Sequence, residues 1–137
     1  MRDVLLDTGP LIAALDRSDQ WHLACVDAWP DLVDRCVTTE AVVTEASHLV
    51  QRGGASAGLP LEFLLAARIP ILGLELHLHR QAARLMTHYA DLSMDYADAT
   101  LVVLAQALQI ATAFTTDRKG FAVYRAAHNR EFDIVPM

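Results

Sequence analysis

Two kinds of segment alternate along this sequence, and the alternation leaves few folds open. Short apolar runs at 2–6 (RDVLL), 36–38 (CVT), 69–74 (IPILGL), 110–115 (IATAFT) and 134–135 (IV) read as buried strands. Between them lie helical patterns. Pro10 to Leu15 follows Gly9, and Pro10 suits a first helical turn. Gln20 to Asp34 could be capped by Ser18 or Asp19, and Pro30 must kink or divide it. Thr39 resembles the N-cap of a helix through Glu40, Val43, Ala46 and Val50, ended by Gly53-Gly54. Ala55 to Arg68, His77 to Tyr89 and Tyr96 to Gln109 complete the set, the last capped by Ser93 or Asp95. Strands alternating with helices imply βαβ units with right-handed crossovers. The predicted class is α/β, a central parallel sheet flanked by helices on both faces. With 137 residues, 53% of them hydrophobic, the chain is expected to form one domain, 1–137, with a sizeable core.

In such sheets, functional groups lie beyond the carboxyl ends of the strands. The stretch DVLLDTGPLIAALD puts Asp7 there, followed by Thr8 and Gly9. Asp7 suits a functional acid, and it equally suits a turn residue bonded to backbone amides. Three more acids stand in comparable places. Glu45 lies in TTEAVVTEASHLV with Ala41, Val42 and Leu49 on its side of the helix. Asp98 lies in SMDYADATLVVLA beside Leu101, Val102 and Ala105. Asp117 directly follows the strand IATAFTT. Singly, these fit a solvated helix position, a first-turn acid favoured by the helix dipole, and a turn or cap. A buried carboxylate without a partner is costly, and several at one spot repel. A divalent cation removes both problems, because hard oxygen ligands suit Mg²⁺ or Mn²⁺. A shared acidic metal site at the carboxyl edge of the sheet is the economical expectation.

The formal net charge of -6, taken alone, argues against a nucleic-acid binder, although acids that hold metal ions can still meet phosphates. Cys25 and Cys36 show no metal-ligand spacing, so free thiols in a cytoplasmic protein are expected. No signal peptide is visible. The uncharged stretch from Ala99 to Thr116 contains glutamines and threonines and splits into a helix and a strand, so no membrane span is expected. No Ser–His–Asp or Cys–His arrangement indicates a covalent nucleophile.

In this order, DVLLDTGPLIAALD, TTEAVVTEASHLV, MDYADATLVVLA and FTTDRKGF resemble the PIN-domain nucleases, above all the VapC toxins of bacterial toxin–antitoxin pairs. The resemblance covers essentially the whole chain. It implies a PIN-like fold and a Mg²⁺- or Mn²⁺-dependent endoribonuclease, with the family's four core acids at Asp7, Glu45, Asp98 and Asp117. It places Thr116 in the family's Thr/Ser-Asp position, as a hydroxyl that supports the site. It also implies an RNA substrate, a cognate antitoxin and a homodimer. Exposed-looking helices, such as the one carrying Leu61 and Leu64, fit the dimer. Asp95 reads as a helix cap or an extra ligand, and Thr8 as a turn residue or a ligand contact. His22, Arg118 and Lys119 are candidates to touch RNA, and His48 to approach the site edge. Two rivals stand beside the nuclease: a catalytically silent PIN-like scaffold for RNA or protein, and a haloacid-dehalogenase-like phosphatase. The phosphatase motif needs a second acid two residues after Asp7, where Gly9 stands.

Overall fold

A computed structural model describes residues 1–137. Its elements run β1 (Val4–Leu6), α1 (Thr8–Leu15), α2 (His22–Leu32), β2 (Cys36–Thr39), α3 (Glu40–Arg52), α4 (Leu59–Ala66), β3 (Ile71–Leu72), α5 (Leu76–His88), α6 (Tyr96–Leu108), β4 (Thr112–Phe114), α7 (Arg118–Phe121) and β5 (Asp133–Val135). The five strands form one sheet in the order β3-β2-β1-β4-β5, and every pairing is parallel. The expected α/β architecture is therefore present.

Both faces of the sheet are covered, so the strands are apolar throughout rather than alternating. Val4 and Leu6 point into a core completed by Leu11, Trp29, Leu64 and Phe114. Trp29 meets the rings of Phe63 and Phe114 edge-on at 5.4 and 5.0 Å, tying α2, α4 and β4 together. Leu5, Val37 and Ala113 point the other way, into a core built mainly on α6. That helix buries Ala97 and every residue from Ala99 to Ala105, which explains its nearly all-apolar sequence.

The strand order fixes where a site can form. The chain lays down β1, β2 and β3 in one direction, then returns to add β4 and β5 on the other side of β1. The topological switch point lies between β1 and β4, and a crevice opens beyond their carboxyl ends. Asp7 follows β1 there, and Thr115-Thr116-Asp117 follows β4.

Several boundaries differ from the sequence reading. Neither Ser18 nor Asp19 caps α2, which begins after Trp21 with no side-chain cap. Asp16 and Asp19 instead accept from the Ser18 and Trp21 amides in a tight turn. Pro30 lies inside α2, which ends two residues later in a 3-10 turn at Val33–Arg35. The helix expected over 55–68 shrinks to α4, because Ser56 to Gly58 form a turn and Pro60 sits in its first turn. Leu64 on that helix is fully buried, so of its leucines Leu61 and Leu65 are the exposed ones. The thiols of Cys25 and Cys36 are free and buried, and burial pushes them up to about 11 and about 12. No helix is long and apolar enough to cross a membrane.

Candidate active site

A cleft of about 360 Å³ opens at the switch point, lined by Asp7, Glu45, Asp98 and Asp117. Each comes from a different element. Asp7 caps α1 and is buried; its Oδ1 accepts from the Thr8 amide at 2.8 Å and its Oδ2 from the Thr115 hydroxyl at 2.7 Å. Glu45 projects from α3, and its Oε1 accepts from the Thr8 hydroxyl at 2.5 Å. Asp98 sits in the first turn of α6 and accepts from the Asp95 amide at 3.2 Å. Asp117 caps α7 through the Gly120 amide at 3.0 Å.

Asp95 is a helix cap: it accepts from the Asp98 amide at 2.8 Å, the other half of a capping box. It also lines the cleft, so the capping role and a place among the acids coincide. Asp19, from the turn before α2, lines the cleft too and had no signal in the sequence. Thr8 takes the turn role expected of it, its amide donating to Asp7, and its hydroxyl donates to Glu45.

The carboxyls share an environment that disfavours charge. Burial pushes Asp7 up to about 6 from 3.8, against the Thr115 and Thr8 hydrogen bonds; the charges of Asp117 and Asp95 push the same way. Burial, then the charges on Asp7 and Asp95, push Asp98 up to about 8. Burial also raises Glu45, against the Thr8 hydroxyl, with Asp95 and Asp7 adding to the rise. All four acids are hard oxygen donors, and a carboxylate oxygen that accepts one hydrogen bond keeps a second lone pair. The donor chemistry suits a divalent cation. As the side chains stand, no three of them converge to hold an ion.

The hydroxyl that supports Asp7 belongs to Thr115. Its oxygen also accepts from the Asp117 amide at 2.9 Å, so one buried side chain braces two of the acids. Thr116 lines the cleft instead, where its side chain lies against Gly9; a Cβ on Gly9 would collide with it. A further group unmarked in the sequence is Tyr124. It is fully buried, and its hydroxyl has no hydrogen-bond partner. That hydroxyl and Asp117 Oδ2 lie 2.9 and 2.5 Å from where a Gly120 Cβ would stand, so Gly120 makes room for both. Burial and the charges of Asp98 and Asp117 raise the Tyr124 phenol.

The PIN domain family profile matches residues 4–127. The chain belongs to the PIN domain family. This PIN chain is similar to Ribonuclease VapC26 of Mycobacterium tuberculosis, at 31% identity over 135 residues; the match spans 97% of this chain and 100% of that protein. The crystal structure of Mycobacterium tuberculosis VapC20, a sarcin-ricin loop cleaving toxin, is similar with a TM-score of 0.77. At 18% identity, over 88% of this chain and 95% of that one, the likeness speaks for the fold alone.

The remaining sequence candidates separate within the PIN chain. His22 bonds through Nδ1 to the Ala13 carbonyl at 2.6 Å, tying α2 to α1. Arg118 lies over the Trp21 ring at 5.3 Å and donates to the Pro136 carbonyl, so its guanidinium is occupied. Lys119 is exposed. His48 borders the cavity next to the acid cleft.

Proposed function

We propose that this PIN chain is a metal-dependent endoribonuclease that hydrolyses RNA phosphodiester bonds and acts as the toxin of a toxin–antitoxin pair. The observation that carries it is that Asp7, Glu45, Asp98 and Asp117, from four separate elements, line one cleft at the switch point of a PIN fold. Relatedness to Ribonuclease VapC26 over 97% of this chain and all of that protein supports RNA as the substrate class, and the resemblance to the VapC toxins supports a cognate antitoxin as the partner.

Asp7, Glu45, Asp98 and Asp117 would hold Mg²⁺ or Mn²⁺. When bound, such an ion activates water and neutralises charge on the scissile phosphate and its leaving oxygen. The protein supplies the rest. Thr115 and the Thr8 amide fix both oxygens of Asp7, the Thr8 hydroxyl orients Glu45, and the Gly120 amide orients Asp117. Burial and the charges on Asp7 and Asp95 favour the protonated form of Asp98, so a cation held there would take the place of its proton.

The test is cleavage of RNA by the purified chain with Mg²⁺ or Mn²⁺ against EDTA, with Asp7→Asn as control. Cleavage that needs metal and Asp7 is expected. RNA binding without cleavage under any divalent ion would favour a silent PIN-like scaffold. That reading draws on the absence of a converging trio and on the capping bonds that already occupy Asp98 and Asp117.

A homodimer goes with this function. Leu23 on α2 and Leu61 and Leu65 on α4 are exposed on two helices that meet through Trp29 and Phe63. A dimer by sedimentation at about 10–50 μM is expected, the range in which a micromolar association is populated; a monomer there refutes it.

A further inference from the structure

Beside the acid cleft lies a cavity of about 760 Å³, a size that suits a small-molecule or nucleotide ligand. The two share Glu45 and Asp95 as a common wall. Across the opening, the rings of His79 and Tyr96 lie nearly parallel, 11° apart, with centroids at 6.2 Å. His79 Nε2 and the Tyr96 hydroxyl are 3.0 Å apart, so each ring holds the other in place. Both are exposed, a disposition that burying apolar surface in the core does not explain.

Glu40 supplies the polar end of this cavity. Its Oε1 lies so close to Gly73 that a Cβ there would collide with it. Gly73 thus lets the carboxylate rest against the backbone just beyond β3. The fork makes no ion pair, so its oxygens are free to accept.

The cavity is also one stage of a track. His79 lines both it and a groove on α5 that contains Arg80; Arg80 lines both that groove and the next, which contains Arg84. Neither arginine is ion-paired. In a chain of net charge -6, two unpaired arginines one helical turn apart, leading to an aromatic pair and then to an acid cleft, make an ordered sequence of environments. Guanidinium groups suit phosphates, flat rings suit bases, and a metal-binding cleft suits the scissile bond.

We infer that this cavity is a base-specific subsite for single-stranded RNA, in which one nucleobase stacks on Tyr96 beside His79 and presents its Watson–Crick edge to Glu40. Resting on the nuclease reading, it adds where the strand runs and what the enzyme reads. Guanine is the base that fits. Its N1–H and exocyclic N2–H₂ form two adjacent donors, matching the two acceptors of a carboxylate. Adenine, cytosine and uracil each put an acceptor beside a donor on that edge and so meet one carboxylate oxygen with repulsion. The strand then continues over Arg80 and Arg84, which bind its backbone without reading sequence.

The experiment is cleavage of a random-sequence RNA library in Mn²⁺, with all cut ends sequenced. Wild type is expected to show guanine at one fixed position near the cut, enriched on the order of tenfold, as a bidentate base contact provides. Tyr96→Phe keeps the ring and keeps the preference. Tyr96→Ala loses it, and Glu40→Gln, with one acceptor and one donor, loses the bias for guanine. Arg80→Ala with Arg84→Ala slows cutting without changing the base. Cutting with no fixed base near the cut, or guanine enrichment unchanged in both Tyr96→Ala and Glu40→Gln, overturns the subsite and leaves the nuclease standing. If Tyr96→Ala does not fold or cut, Glu40→Gln decides alone: retained guanine enrichment overturns the assignment. No cutting by wild type overturns the nuclease reading and the subsite with it.

Discussion

Replacing Asp7 by Asn should stabilise the metal-free protein at alkaline pH while removing its activity. Burial holds the Asp7 carboxyl at about 6 in the fold against 3.8 when exposed. At about 1.4 kcal/mol per pH unit, the ionised form costs the fold about 3 kcal/mol. The native state binds this proton more tightly than the unfolded chain does between pH 3.8 and about 6. Asp7's contribution to wild-type stability should therefore fall as pH rises through that window and stay level above it, while the raised Asp98 carries the fall of the whole protein's stability on toward pH 8. Asn has no charge to bury, but its fit is imperfect. Its oxygen can keep the Thr8 amide; its NH₂ then faces Thr115, whose hydroxyl proton loses its acceptor, at a cost of about 1–2 kcal/mol. The net gain at pH 8 in EDTA is about 1–2 kcal/mol, shrinking to near zero by about pH 4.5. Glu45 and Asp98 titrate in both proteins, so the mutant-minus-wild-type difference isolates Asp7 together with the repulsion it exerts on them. Urea unfolding in EDTA at the two pH values measures it. With Mn²⁺ the order should reverse, because only wild type gains from binding. A mutant equally destabilised at both pH values would refute the reasoning, since lost hydrogen bonds would then outweigh the buried charge.

Three further outcomes follow from the site. Gly9→Ala should lose about 1–2 kcal/mol of stability by forcing its Cβ against Thr116, and Thr116→Ala in that background should restore most of it; urea unfolding with no loss for the single variant counts against the close approach. Tyr124→Phe removes a buried hydroxyl that has no partner, so it should gain about 1 kcal/mol in thermal unfolding, and a loss instead would mean that the hydroxyl is bonded to an acid through water. RNA affinity at fixed ionic strength should be weakest in EDTA and strong in Mn²⁺ or Ca²⁺ with a non-cleavable RNA, because ionised carboxylates of the acid cleft face the phosphate without metal; equal affinity in all three would show that arginines carry binding alone.

Most of the fold was legible because short continuous apolar runs alternate with helical patterns and because Thr39, Asp95 and Gly53 mark helix ends chemically. The acids were legible for a related reason: each stands where a strand ends or where a helix turns its apolar face inward. What escaped depends on register and on pairing length. β3 is a short edge strand because it meets β2 only at Thr38 and Thr39, however far its apolar run extends. Thr115 braces Asp7 because Leu6 pairs with Phe114, which brings the next residues of the two strands side by side. The identity of the bracing threonine is a property of that register, and two adjacent threonines in a sequence do not reveal it. Asp19 reached the cleft through a turn whose path only the packing of α2 on α1 decides.

The placement of β1 in the middle of the sheet has a consequence for the timing of synthesis. Asp7 leaves the ribosome well before Thr115, which braces it, and Asp117, which completes the acids: they come 108 and 110 positions later. Until β4 has emerged and docked against β1, one wall of the cleft does not exist. A nascent chain, or one ended early by a broken message, carries Asp7, Glu45 and Asp98 with no closed site around them. The ribosome making the chain is exposed to nuclease activity only after β4 has emerged and docked, and the cell is spared shorter fragments that cut.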